Sequence, residues 1–335
     1  MVDVVALVAG VLLALITWLS VLRTVFIPRQ RSSLLMRSVV RGTGWTGSAV
    51  ARRLPQSLGE RVMDMCAPVA LYVAAACWLT ATLVGFALMS CAVADMPLTL
   101  AGFTGFLLLR TESDGGILLA VGAWGAVALV LSAFVLHLYR FTAAYSRREL
   151  VVARMAAHAA RPTEAELVLA EHLRLGSRDH LDQLFAQWTA WLADIRATHT
   201  GYPALTIYRS ATELCWLDAA VLVLDAAALT DAVATNWAPP STRSVLEAGS
   251  VCFPVLAGQV GVHLPRPTVS LEGREERGFE QTVQVAVAAG LPREHCDREA
   301  WTVFQNWRTR YAPYAVAMSY RLCYLWPNED PRLTG

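Results

Sequence analysis

The sequence predicts an all-α integral membrane protein: three transmembrane helices, a re-entrant pore-type helix between the second and third, and a cytoplasmic helical bundle. Three observations predict it. Thirty uncharged residues between Asp64 and Asp95, and twenty-five between Asp114 and Arg140, are each long enough to cross a bilayer as a helix. The stretch between them, Met96 to Leu109, has fourteen uncharged residues, too few to cross but enough to dip in and return on the same side. There is little of the alternating pattern of a half-buried strand anywhere. Non-helical backbone survives at membrane depth only where protein or a watery cavity surrounds it, so this plan implies an oligomer.

Four regions follow: a first transmembrane helix (1–27), a basic cytoplasmic or interfacial linker (28–65), a helix, re-entrant loop and helix unit (66–140), and a cytoplasmic α-helical domain (141–335). In the first, Val4 to Leu22 is nineteen residues between Asp3 and Arg23, about 28 Å of helix. No basic leader precedes it and no small-residue cleavage site follows, so it reads as a retained span rather than a secretory signal. Over the 335 residues 55% are hydrophobic, the net charge is +1, and all 28 basic residues are arginine. That bias, beside abundant Ala, Val and Leu, reads as a GC-rich genome, and no polybasic tract points to nucleic acid.

Arginine asymmetry sets the orientation. Residues 28–65 carry seven Arg against Glu60 and Asp64, and residues 140–161 carry five against Glu149, whereas 93–116 holds Arg110 with Asp95, Glu112 and Asp114. The positive-inside rule puts the linker and everything after 140 in the cytoplasm, with the N-terminus and re-entrant segment outside a bacterial inner membrane. The linker contains Gly42-Thr-Gly44-Trp-Thr-Gly47, which matches the dinucleotide fingerprint in form only. That fingerprint needs a buried strand before it, and Arg37-Ser-Val-Val-Arg41 stands there instead. A basic, partly amphipathic helix on the inner membrane surface is the better reading.

In the third region, Cys66, Cys77 and Cys91 fall near one helix face, yet the first two lie about 16 Å apart along it, so they read as small apolar packers rather than metal ligands. The seven cysteines form no CxxC pair, and those placed in a reducing cytosol predict no disulfide framework. Ala81 with Gly85, and Gly122 with Ala126, have the four-residue spacing that permits close helix approach.

Leu22-Arg-Thr-Val-Phe-Ile-Pro28, Ala51-Arg-Arg-Leu-Pro55, Leu100-Ala-Gly-Phe-Thr-Gly-Phe106 and Arg147-Arg148-Glu149 together resemble a family of bacterial, largely actinobacterial, potassium-channel-like membrane proteins with a cytoplasmic helical domain. The likeness runs on through Trp188, Trp191, Thr198-His-Thr-Gly-Tyr-Pro203, Tyr208-Arg-Ser210 and Leu224-Asp-Ala-Ala-Ala228. It implies an ion-channel homologue, a homotetramer with a dimer as the fallback, and a monovalent cation as the permeant species. It also places the pore and filter region at Thr104, Gly105, Phe106, Leu107, Leu108, Leu109, Arg110, Glu112 and Asp114.

The sequence departs from that family at the filter. Members carry a Phe-Thr-Leu-Gly-Phe-like filter after a short pore helix, and aligning on Leu100 and Gly102 puts Phe106-Leu-Leu-Leu-Arg110 there. The other register, Phe103-Thr-Gly-Phe106, leaves only Pro97 to Gly102 for the pore helix. A potassium filter stacks backbone carbonyls, and glycine permits the unusual φ that stacking needs. Three leucines and an arginine supply neither, so the resemblance implies a degenerate filter and a poor potassium conductor. The alternative is a membrane-anchored interaction or sensor protein that uses the pore unit only as a scaffold.

The cytoplasmic region reads as helical throughout. Thr163 to Leu175 is one helix; after a break at Gly176-Ser177, Leu181, Leu184, Phe185, Trp188, Leu192 and Ile195 keep a helical apolar period, with Trp188 and Trp191 at the core. A helix from Arg209 to about Asn236 follows, with Asp218 and Asp225 as a solvated acidic stripe. Further helices are expected over Ser250–Val262, Phe279–Ala289 and Ala300–Tyr324, with Leu264 to Gly278 as a surface linker. The histidines are scattered, with no HExxH, GxSxG, Walker or kinase signature, so no catalytic residue, metal or cofactor is predicted. One polar group stands out in the helix break, a candidate ligand loop of His199, Tyr202 and Arg209, with loop capping as its plainer role.

Overall fold

The computed structural model describes residues 2–27, 32–94, 96–97, 99–110, 113–158, 164–175, 178–211, 214–264 and 274–324; they form twelve α-helices and no strand. These are α1 (Val2–Val25), α2 (Leu34–Ala51), α3 (Gln56–Val93), α4 (Leu100–Leu107), α5 (Asp114–His158), α6 (Ala165–Leu175), α7 (Arg178–Gly201), α8 (Ala204–Ile207), α9 (Trp216–Val233), α10 (Ser241–Gln259), α11 (Arg274–Ala288) and α12 (Asp297–Arg321). Three of them, α1, α3 and α5, are long and apolar enough to cross a membrane, and the chain is a membrane protein of all-α class. It divides into two compact units: Met1–Thr43, Ala67–Ala143 and Gly201–Ala204 form one, and Gly44–Cys66, Ala144–Thr200 and Leu205–Gly335 the other.

In the first unit α1 turns Val4, Val8, Leu12, Leu15 and Leu19 outward, as lipid-facing side chains require. Its inner face approaches α3 closely: a Cβ on Gly10 would stand 2.6 Å from the Gly85 carbonyl oxygen, and one on Gly85 would stand 3.1 Å from that of Gly10. Between α1 and α3 Trp78 Nε1 donates to Ser20 Oγ at 3.0 Å, and within α3 Thr82 Oγ1 donates to the Trp78 carbonyl at 2.8 Å. The end of α1 is closed from α5, where Arg140 Nη1 donates to the Val25 carbonyl at 2.7 Å. Ser33 starts α2 by accepting from the Met36 amide, and Thr24 Oγ1 bonds the same hydroxyl at 2.8 Å.

Both long helices outrun their apolar stretches. α3 begins at Gln56, ahead of the Cys66 boundary that charge alone marks, and α5 continues past Arg140 to His158. Charge ends an apolar run, whereas a helix ends only where its backbone bonds stop. At 38 and 45 residues they span about 57 and 68 Å, well beyond a hydrocarbon layer of about 30 Å.

The second unit is built around α9. Its flanks α6, α10 and α12 bury it on nearly every side, with Trp216, Leu217, Val223, Leu224, Leu229 and Val233 all inside. A helix apolar all round belongs at the centre of a bundle rather than on its surface. The predicted helix from Arg209 is therefore shorter than expected, starting at Trp216, with Cys215 Sγ accepting from the Leu217 amide at 3.4 Å. The solvated acidic stripe is also corrected. Asp218 is exposed, but Asp225 accepts from Tyr311 Oη at 2.6 Å and pairs with Arg308 at 3.1 Å, both on α12. Buried Asp231 accepts from Trp307 Nε1 at 2.9 Å and Arg243 Nε at 3.2 Å. Trp188 and Trp191 are core residues, as their spacing predicts. Elsewhere α10 starts nine residues before the expected Ser250, with Pro254 inside it, and α12 ends at Arg321. The Gly176-Ser177 break and most of the Leu264–Gly278 linker lie outside the described residues.

Candidate functional site

The segment between α3 and α5 is a capped helix seated against both of them. Thr99 caps α4 by accepting the Gly102 amide at 3.1 Å. The Pro97 carbonyl oxygen leaves no room for a Cβ at position 102, so glycine is needed there for close approach rather than for a special φ. Phe106 is buried against Ala87 of α3 and Ala120 and Ala123 of α5, with Phe103 and Leu107 packed on the same cluster.

The C-terminal turn uses up the backbone where the filter is predicted. Arg110 N–H donates to the Gly105 carbonyl at 2.8 Å and Leu109 N–H to that of Phe106 at 3.1 Å, the paired bonds of a Schellman cap. Leu108 N–H donates to the Thr104 carbonyl at 3.0 Å. The next carbonyl, that of Leu107, accepts Trp124 Nε1 of α5 at 3.1 Å. Leu109 has φ +58, the left-handed position that glycine usually fills. In the register Phe103–Phe106 the filter falls inside α4; in the register Phe106–Arg110 it falls on this turn. Neither leaves a row of free carbonyls among residues 104–107.

Thr104 is exposed and its hydroxyl bonds back to the Ala101 carbonyl at 2.9 Å. Leu108, Leu109 and Arg110 are exposed after the C-terminal end of α4, and Leu100 is exposed at its start. Asp114 opens α5, where Ser113 Oγ accepts the Gly116 amide at 3.1 Å, and a carboxylate there complements the helix dipole. No ion pair joins Arg110 to Asp114 among the described residues, and Glu112 lies outside them.

The three residues of the predicted ligand loop have separate partners. His199 is wholly buried near the end of α7, its ring 5.3 Å from that of Trp216 and its Nδ1 3.3 Å from Thr198 Oγ1. Burial, and secondarily the Arg148 charge, holds its pKa well below the ordinary imidazole value, so the ring is neutral. Tyr202 belongs to the first unit, where its ring stands 5.1 Å from that of His137. Arg209 caps α12, donating through Nη2 to the Cys323 carbonyl at 2.5 Å while its guanidinium lies 4.9 Å from the Tyr324 ring.

A stronger node in the same loop has no signal in residue spacing. Arg148 of α5 is buried, with Nε on Glu149 Oε1 at 2.8 Å, Nη1 on the Leu205 carbonyl at 2.8 Å and Nη2 on that of Tyr208 at 2.9 Å. Its guanidinium lies 5.1 Å from the Tyr145 ring and 5.5 Å from that of Trp216. Glu149 in turn accepts the Ala211 amide at 3.1 Å and Ser210 Oγ at 3.3 Å. The pair thus completes the backbone bonding of the turn between α8 and α9, a structural role. Nearby Cys215 is pushed up to about 12, first by burial and then by Asp218, so its thiol stays protonated and inert. No cluster of three or more His, Cys, Asp or Glu residues suited to a metal ion occurs among the described residues.

No family model, curated protein or solved structure matches the chain. The potassium-channel-like resemblance therefore rests on the quoted sequence motifs alone.

Proposed function

We propose that this protein is a pore-loop ion-channel homologue whose filter has degenerated, assembled as a homotetramer or, as the fallback, a dimer in a bacterial inner membrane. In this reading α3 and α5 are the pore helices and α4 the re-entrant helix, with the second unit in the cytoplasm. The observation that carries the lost conductance is the bonding of four successive carbonyls, Thr104 to Leu107, within the same subunit. A carbonyl that already accepts a strong hydrogen bond is a poor substitute for an ion's hydration shell. The exposed Leu108 and Leu109 side chains would line a dewetted constriction, and Arg110 would put like charges around its mouth. At about 8 Å and an effective dielectric near 20, each such pair repels by roughly 2 kcal/mol.

Purified protein in proteoliposomes is expected to give no potassium-over-sodium selective flux, and Arg110→Gly alone is expected not to create it, because the carbonyl bonds remain. Selective potassium flux from the wild-type protein would overturn the reading. An oligomer with no flux keeps the scaffold alternative in play, and a monodisperse monomer in mild detergent would count against both.

A further inference from the structure

We propose that α2 is a binding surface for anionic phospholipid headgroups, with Trp45 and Leu34 seated among the acyl chains and Arg37 and Arg41 on the phosphates. The argument begins with the sequence, which has no Asp or Glu between Asp3 and Glu60. All the charge that α2 and its flanks carry is positive. Within α2, Leu34, Ser38, Arg41 and Trp45 are exposed and recur at intervals of four, three and four residues, which is one helical face. Two of the four are large apolar side chains with most of their surface open, Leu34 at 77% and Trp45 at 60%. Exposed tryptophan beside arginine on a polar helix is the composition of a segment that lies in a membrane interface. Arg37 is half-buried on the flank of the face, and Arg52 and Arg53 are exposed in the turn beyond it.

The height of the helix is set by the first unit. The apolar run of α1 ends at Arg23, and the α1 terminus is closed by Arg140 on the Val25 carbonyl. Thr24 is bonded directly to Ser33, the cap of α2. The start of α2 is therefore held one turn from where α1 leaves the hydrocarbon, which is headgroup depth. A basic face at that depth meets phosphates, and the occupant that fits its charge is an anionic lipid. The inference is independent of whether α4 forms a pore.

The test uses the full chain in bilayers of phosphatidylcholine with or without phosphatidylglycerol. Dibrominated phosphatidylglycerol is expected to quench a component of the tryptophan emission that disappears in Trp45→Phe, with weaker quenching by dibrominated phosphatidylcholine. In native mass spectrometry the wild-type protein is expected to retain phosphatidylglycerol over phosphatidylcholine. The double variant Arg37→Gln/Arg41→Gln should retain it about 30-fold less, at about fivefold per arginine near an anionic surface. The double variant Arg37→Lys/Arg41→Lys keeps the charge and should bind as the wild type does, which separates lipid binding from misfolding. Equal retention by the Gln and Lys variants would overturn the proposal. So would a quenching pattern unchanged in Trp45→Phe, which would mean that another occupant, such as an acidic protein segment, covers the face.

Discussion

Leu109 and Cys323 hold the left-handed backbone conformation, φ +58 and φ +54, at the ends of α4 and α12. Each is the fifth residue of a Schellman turn, with Tyr324 N–H on the Ser319 carbonyl and Cys323 N–H on that of Tyr320 repeating the bonds seen at Gly105 and Phe106. A side chain there costs about 1–2 kcal/mol, while glycine gives back about 0.5–1 kcal/mol through its freer unfolded chain. Leu109 is 46% exposed and Cys323 is buried, so only the leucine can be removed without loss of packing. Leu109→Gly is expected to stabilise the protein by about 0.5–1 kcal/mol, read as a raised thermal midpoint in detergent. His199 gives a pH prediction. The unfolded chain takes up a proton near pH 6.5 that buried His199 refuses, so its contribution is favourable above that value and is lost as pH falls below it. The slope reaches about 1.4 kcal/mol per pH unit. His199→Phe is expected to flatten the loss of stability between about pH 7 and pH 5; an unchanged slope would mean that other groups set it. The absence of glycine from Phe106-Leu-Leu-Leu-Arg110 was legible in the sequence. That a leucine would take the glycine conformation was not, since the bond from Trp124 that fixes the turn comes from seventeen residues away. Arg148 and Glu149 were legible as cytoplasmic charge and as part of a quoted motif but not as a buried node, because the carbonyls that Arg148 completes lie 57 and more residues downstream.

Small residues decide how closely the helices of the first unit approach. The four-residue spacing of Ala81 and Gly85 pointed to such an approach, and α1 carries the same spacing in Ala6, Gly10 and Ala14, but spacing alone does not say that the two stripes face each other. A Cβ at Gly10 would press on the Gly85 carbonyl and the Met89 amide, backbone that cannot swing aside, whereas a Cβ at Gly42 would meet nothing within 4 Å. Gly10→Ala is expected to lower stability by about 1–3 kcal/mol through overpacking. Gly42→Ala, in the interior of α2, is expected to raise it by about 0.5–1 kcal/mol. Chemical unfolding of both variants in one detergent checks the pair, and equal effects would mean that helix propensity rather than the α1–α3 approach governs. The long helices themselves followed from the length of their uncharged runs. Their ends did not, because α3 and α5 continue into polar sequence where only backbone bonding decides.

For the whole molecule, the proposed reading of three spans with an arginine-rich 28–65 segment would put the N-terminus outside and the linker and the C-terminal residues inside. A cysteine at position 112 is expected to react with an impermeant reagent from outside intact cells, and one at position 178 only after the membrane is opened. Labelling of position 112 only from the inside would reverse the topology. The all-α class and the three spans were readable from hydropathy alone. The bounds of the two compact units were not, since 44–66 belongs with the later residues and no composition shift marks the break at Thr43.

The central place of α9 also has a consequence in time. Its eighteen residues end at Val233 and α12 is complete only at Arg321, 88 residues later, and α12 is one of the helices that cover them. At about 5–20 residues per second, that interval lasts several seconds. During it, a helix about 27 Å long and almost wholly apolar stands near a membrane that has just accepted three others. Asp225, near the middle of α9, makes insertion dearer by about 2.5–3.5 kcal/mol, and Asp218 and Asp231, nearer its ends, add smaller costs. The two of them that later bond to α12 thus serve the nascent chain first as a refusal of the bilayer, and the finished protein afterwards as the docking points for its last helix.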